Sequence, residues 1–143
     1  MTSGTASSRT GATTEDTRGA VTGTPKLWLR AEGVIALATG AGLYLQLGGA
    51  PIWLIPLVLA VDISMAGYLV GPRPGALIYN VVHNWAIGVA TLVLAWWLVS
   101  PAIALFGAVL VAHVGMDRAA GYGLKYPTAF ADTHLGRLGR RSR

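Results

Sequence analysis

The chain contains no cysteine, which excludes disulfide bridges, thiolate metal sites, iron–sulfur clusters and thiol chemistry. Charge is almost as scarce. Charged residues make up 12% of the 143 positions, against roughly 25% in a typical soluble domain. Their distribution matters more than their number. No charged side chain occurs in the 29 residues between Glu32 and Asp62, nor in the 43 between Arg73 and Asp117. Apolar residues fill 53% of the chain. A membrane-crossing helix needs about 20 mostly apolar residues at about 1.5 Å each. These two runs therefore mark an integral membrane protein. The 11 basic and 6 acidic residues give a net charge of +5, but no compact basic domain exists to bind nucleic acid. Juxtamembrane Lys and Arg account for the charge instead.

Residues 1–26 hold eighteen Ser, Thr, Gly or Ala and only one larger aliphatic or aromatic residue, Val21, apart from Met1. Such a leader cannot offset its ordering entropy and is expected to be disordered. It also lacks the apolar stretch of a signal peptide. Apolar segments then follow at residues 28–47, 51–70, 76–99 and 101–120, divided by Gly48-Gly49-Ala50, by Gly71-Pro72-Arg73-Pro74-Gly75 and by Ser100-Pro101. The expected fold is all-α: a polytopic up-down bundle of four transmembrane helices spanning residues 27–120, with a C-terminal segment at 121–143. Lys and Arg flank one side only. The positive-inside rule then puts both termini and the Arg73 loop in the cytoplasm. Pro56 is expected to kink the second span, and the intramembrane glycines are read as close-packing positions.

Depth singles out the polar residues. At helical rise, Asp62 lies roughly 13 Å inside the expected cytoplasmic end of its span, and His83 and His113 roughly 10 Å. Asp117 is one turn shallower than His113, and Glu32 lies roughly 6–8 Å in. Exposure of such groups to lipid is costly, so they are expected to face inward and meet. His113 and Asp117 are spaced i,i+4, and Asn80 is i,i+3 from His83, so each pair shares a helix face. Three readings compete. A buried polar network could fix helix pairing, although such contacts contribute only about 0.6 kcal/mol each in membranes. Conduction or bis-histidine haem ligation is a second use. The third is an enzyme. Asp62, Asn80, His83, His113 and Asp117 would then be the catalytic set, working by acid–base chemistry on a lipid-soluble substrate. Glu32, Asp62, His83, His113 and Asp117 would be the candidate ligands of a divalent transition metal. Membrane lipids and a hydrophobic small molecule are the expected partners.

After the last apolar run, Tyr122, Lys125, Tyr126 and Phe130 are too aromatic for a free tail, and Asp132-Thr133-His134 offers a helix cap or a second acid and imidazole source. The segment is expected to fold beneath the bundle as a lid carrying Tyr122, Lys125, Tyr126, Asp132 and His134. The alternative is an amphipathic stretch held on anionic lipid by Arg137 to Arg143.

Two strings, DISMAGYLVGPRPGALIYNVVHN and AHVGMDRAAGYGLKYPTAFADTHLG, resemble a family of small bacterial four-helix membrane proteins grouped as domain of unknown function 4260. The resemblance covers about Trp28 to Gly136. It implies a helical membrane fold and, with the charge distribution, a multi-pass protein of the bacterial cytoplasmic membrane. It assigns no reaction and no catalytic residues.

Overall fold

A computed structural model describes residues 19–139. Helix α1 spans Gly23–Gln46 and α2 spans Pro51–Ala60; a 3₁₀ segment, Val61–Leu69, continues α2. Helices α3 (Pro72–Val82), α4 (Trp85–Leu98) and α5 (Pro101–Ala120) follow, and a two-residue hairpin, β1 (Asp132–Thr133) with β2 (Gly136–Arg137), ends the described chain. The expected disordered leader lies outside the described residues up to position 18. Its last four residues, Gly23 to Lys26, are already the first turn of α1. The basic positions Arg140, Arg141 and Arg143 also lie outside the described residues.

The four-span bundle is not what the chain forms. Among the described residues, only Pro51–Leu69 and Pro101–Ala120 are helices long and apolar enough to cross a membrane. A third crossing exists only if α3 and α4, bent by 45° at a short break, together make one span. Helix α1 has the length but not the apolarity. Lys26, Arg30 and Glu32 occupy its first half, and Gly, Ala and Thr dilute the remainder. The third apolar run is interrupted at His83–Asn84, where Asn84 caps α4 by accepting the Ala86 N–H at 2.8 Å. Asn at an N-cap favours a new helix start even inside an apolar run. Hydrophobic helices are present and fit membrane association; four crossings are not.

The core runs along α5, which packs against α1 on one side and α4 on another. Tyr44, Val58, Ala108, Val109 and Ala112 form its buried centre. Helices α1 and α5 are antiparallel and touch backbone to backbone. A Cβ at Gly40 would strike the Ala112 main chain, and one at Gly115 would strike the Leu37 main chain. In lipid, where apolar surface gains nothing by leaving the solvent, such close approach is what holds helices together. Outward-facing Ile52, Ile55, Ile63, Leu69, Trp96 and Trp97 are all more than half exposed. Contiguous apolar surface on that scale suits an acyl-chain environment rather than water.

The packing predicts a contrast between glycines of α1 and α5. Gly115→Leu should displace α1 and lower the melting temperature of the detergent-solubilised protein by several degrees, because backbone must move. Gly42→Ala, which meets nothing within 4 Å, should be neutral or slightly stabilising through its better helix propensity. Differential scanning fluorimetry of the two variants checks both halves.

Candidate metal centre

Two interrupted helices and one continuous helix bring the polar residues together. Helix α2 changes to 3₁₀ geometry at Val61, so the Val58 carbonyl accepts the Val61 N–H and also faces α5. There the Nδ1–H of His113 donates to it at 2.7 Å. Helix α3 stops at His83, whose backbone is no longer helical (φ −92°, ψ 29°). The Nδ1–H of His83 folds back onto the Tyr79 carbonyl, 3.0 Å away. A carbonyl oxygen can only accept, so in both rings Nδ1 carries hydrogen and Nε2 is the nitrogen turned toward the centre, with a lone pair there when the ring is neutral.

Those two Nε2 atoms face each other at 2.8 Å. Asp62 Oδ1 lies 3.4 Å from the Nε2 of His83 and 3.5 Å from that of His113. One ligand atom from each of Asp62, His83 and His113 falls within 4.8 Å of the others, a group able to coordinate a divalent metal. Asp117 Oδ2 stands slightly further off, at 3.7 and 3.8 Å from the same nitrogens, and accepts the Tyr79 O–H at 2.7 Å. Both imidazoles are buried, His113 completely, while the Asp62 side chain keeps 32% of its surface. The centre is therefore enclosed around the imidazoles and most accessible beside Asp62.

Tyr79 is a constituent that the depth count did not include. Its ring stacks on His83 with centroids 3.6 Å apart, its carbonyl fixes the His83 tautomer, and its hydroxyl orients Asp117. The signal for it was available, because Tyr79 and His83 are spaced i,i+4 on one helix. Glu32 behaves otherwise: it is exposed on α1 and takes no part in the group. Asn80 also has a different employment. Its Nδ2 donates to the Lys125 carbonyl at 2.8 Å and its Oδ1 accepts the Lys125 N–H at 2.7 Å, so it clasps the C-terminal segment.

That segment is packed on the helices. Lys125, Thr133 and Leu135 are buried, Tyr122 N–H donates to the Asp117 carbonyl at 2.7 Å, and Phe130 meets Tyr68 edge to face at 5.1 Å. Tyr122 and Tyr126 are exposed, with the Tyr126 hydroxyl on the Gly19 carbonyl. Asp132 accepts Thr128 Oγ1–H at 2.7 Å and lies 3.7 Å from Arg137, within the hairpin. His134 Nδ1 accepts the Leu124 N–H at 2.8 Å. Burial pushes the Lys125 ammonium below its usual range, against the pull of the Asp117 and Asp62 carboxylates.

Residues 26–138 match the family described as Domain of unknown function (DUF4260). The chain belongs to that family. No curated protein and no solved structure matches it. The chemistry of this DUF4260 member must accordingly be read from its own side chains.

The His134 environment sets a pH dependence for the segment. Burial, and then the nearby Arg118 guanidinium, hold the His134 pKa below the ordinary 6.5. The folded segment thus favours the neutral ring, and protonation would also convert Nδ1 from acceptor to donor against the Leu124 N–H. The stabilisation is complete above about pH 6.5 and is lost as pH falls from there through the lower folded pKa. Modification of a cysteine placed at Leu135, measured against one at exposed Thr128, should quicken between pH 7.5 and 5. His134→Gln should flatten that ratio.

Proposed function

We propose that this DUF4260 protein is a membrane enzyme whose working part is a divalent metal centre of His83, His113 and Asp62. The observation that supports it is the pair of imidazoles locked by main-chain carbonyls with both Nε2 lone pairs converging beside a carboxylate. In neutral rings so anchored, two lone pairs would face each other 2.8 Å apart and repel unless a cation lay between or beside them. Backbone-anchored Nδ1–H groups are the usual outer support of metal-bound imidazoles. Ligand atoms about 2.0–2.1 Å from a common ion are separated by about 3.3–3.4 Å in a tetrahedral arrangement. The nitrogen–oxygen separations of 3.4 and 3.5 Å already match, and the rings need to part by only about 0.5 Å. Two imidazoles and a carboxylate with an open side suit Zn²⁺ or Fe²⁺.

A bound cation would supply Lewis acidity toward a carbonyl or phosphoryl oxygen. The chain's own groups supply the rest. Asp117, oriented by the Tyr79 hydroxyl and within reach of both ligand nitrogens, accepts or returns a proton. Asp62, on the accessible side, is the ligand that faces an entering substrate. Asn80 acts through its clasp on Lys125, holding the C-terminal segment as a lid over the centre. The substrate is lipid-soluble. An apolar cavity of about 160 Å³, lined among others by Leu37, Leu54, Val58, Ala112 and Met116, adjoins the centre through Val58. The setting is the bacterial cytoplasmic membrane. The basic residues Lys26, Arg30, Arg73 and Arg137 support an orientation with the C-terminal segment on the cytoplasmic side.

A second reading has an observation of its own. The 2.8 Å nitrogen–nitrogen separation is also a hydrogen-bond length, so a single proton shared by the two imidazoles would make the group a structural polar network. Elemental analysis separates the two. Protein purified in detergent without chelator should carry about one transition metal per chain, reduced at least tenfold in His83→Ala and His113→Ala and unchanged in Glu32→Gln. Metal-free protein that stays metal-free after incubation with Zn²⁺ or Fe²⁺ would leave the shared-proton network as the better account.

A further inference from the structure

Lys125 is the one strongly buried lysine among the described residues, at 5% exposure. Its ammonium has three donors, yet the structure gives it a single acceptor, the Phe130 carbonyl at 2.9 Å. Around it stand the Phe130 ring face at 3.8 Å and the Tyr79 ring at 5.1 Å, and the Asp117 and Asp62 carboxylates attract the charge without hydrogen-bonding it. Cation–π contacts of this kind attract the charge but use none of its hydrogen bonds. Tyr68 is in edge contact with the same Phe130 ring. Its hydroxyl is buried without a hydrogen-bond partner, as is that of Ser64 on the same 3₁₀ segment. A buried polar atom left unpaired costs on the order of 1–3 kcal/mol, and two on one nine-residue segment need an explanation.

For Tyr68 the 3₁₀ geometry supplies one. With three residues per turn, positions i and i+3 eclipse, so Asp62, Met65 and Tyr68 stand in one row. The row leads from the accessible ligand of the metal centre to the Tyr68 hydroxyl beside Phe130. Along the opposite wall, Lys125 lies over Tyr79, and Tyr79 stacks on His83. Both rows therefore end on residues that touch the Phe130 ring, an ammonium and a hydroxyl with hydrogen-bonding capacity unspent. Donors without acceptors call for an acceptor-rich guest.

We infer that Lys125 and Tyr68 form a subsite for the anionic phosphate head of an amphiphile, adjoining the His83–His113–Asp62 centre. The inference rests on the proposed enzymatic reading and specifies its substrate class: a phosphate-headed lipid whose polar end is held at Phe130. The ammonium supplies charge-assisted hydrogen bonds, which are roughly twice as strong as neutral ones. Tyr68 adds a neutral donor. The acyl part remains against the apolar exterior or enters the cavity beside Val58.

The test is binding, measured on full-length protein in phosphatidylcholine nanodiscs stripped of metal by chelator, so that its outcome is independent of whether the metal centre is real. Phosphatidic acid titrated into the discs should produce saturable quenching or thermal stabilisation. Inorganic phosphate at the same concentrations should bind at least tenfold more weakly, which separates a lipid head from a free anion. Lys125→Met keeps the aliphatic stem and should weaken binding by thirtyfold or more; Lys125→Arg should restore most of it. Tyr68→Phe removes a hydroxyl that has no partner in the protein. It should leave thermal stability equal or higher while weakening phosphatidic acid about tenfold. Unaltered affinity in both Lys125→Met and Tyr68→Phe would overturn the subsite. Equal affinity for inorganic phosphate and phosphatidic acid would overturn the amphiphile.

Discussion

Two hydrogen bonds carry most of the site: those from the Nδ1–H groups of His113 and His83 to the carbonyls of Val58 and Tyr79. Each fixes a ring, a tautomer and a direction at once. Neither acceptor is a side chain that sequence variation could adjust; both are main-chain oxygens made available by local helix geometry. A different rotation of either ring would turn an N–H toward the other, and the arrangement would be an ordinary donor–acceptor pair. Because both rings are anchored on the same nitrogen, their other nitrogens oppose one another beside Asp62, an arrangement able to coordinate a divalent metal.

The helix interruptions follow from the same constraint. Irregular backbone at membrane depth is tolerated where it is buried in protein or lines a cavity. Here both breaks occur at the centre: the 3₁₀ change begins one residue before Asp62, and α3 ends at His83. The uninterrupted α5 acts as the frame, held against α1 by glycine contacts and presenting His113 and Asp117 on one face. The C-terminal segment is tied to α5 through the Asp117 carbonyl and to α3 through Asn80. It brings Lys125 to the edge of a site otherwise made of helices.

Much of the centre was legible in the sequence because depth is a one-dimensional quantity. Counting residues from the breaks placed Asp62, His83, His113 and Asp117 at similar heights, and the cost of exposing them to lipid required that they meet. Glu32 passed the same count and still failed, since height says nothing about rotation and α1 turns its Gly33, Ala36 and Gly40 face to α5. The number of crossings was misread for a related reason. A charge-free run records apolarity but not continuity, and Asn84 reads as a polar side chain in a span until its capping bond to Ala86 is seen. The 3₁₀ segment has no comparable sequence mark. Its geometry depends on packing against α3, where Gly67 and Gly75 let the two approach closely.

X-ray absorption at the metal edge of the purified, metal-loaded protein tests the central claim most directly. The account predicts a first shell of nitrogen and oxygen at about 2.0–2.2 Å, with the outer-shell scattering of two imidazoles, reduced to one in His113→Ala. A spectrum with no imidazole contribution, or one unchanged by that substitution, would contradict it.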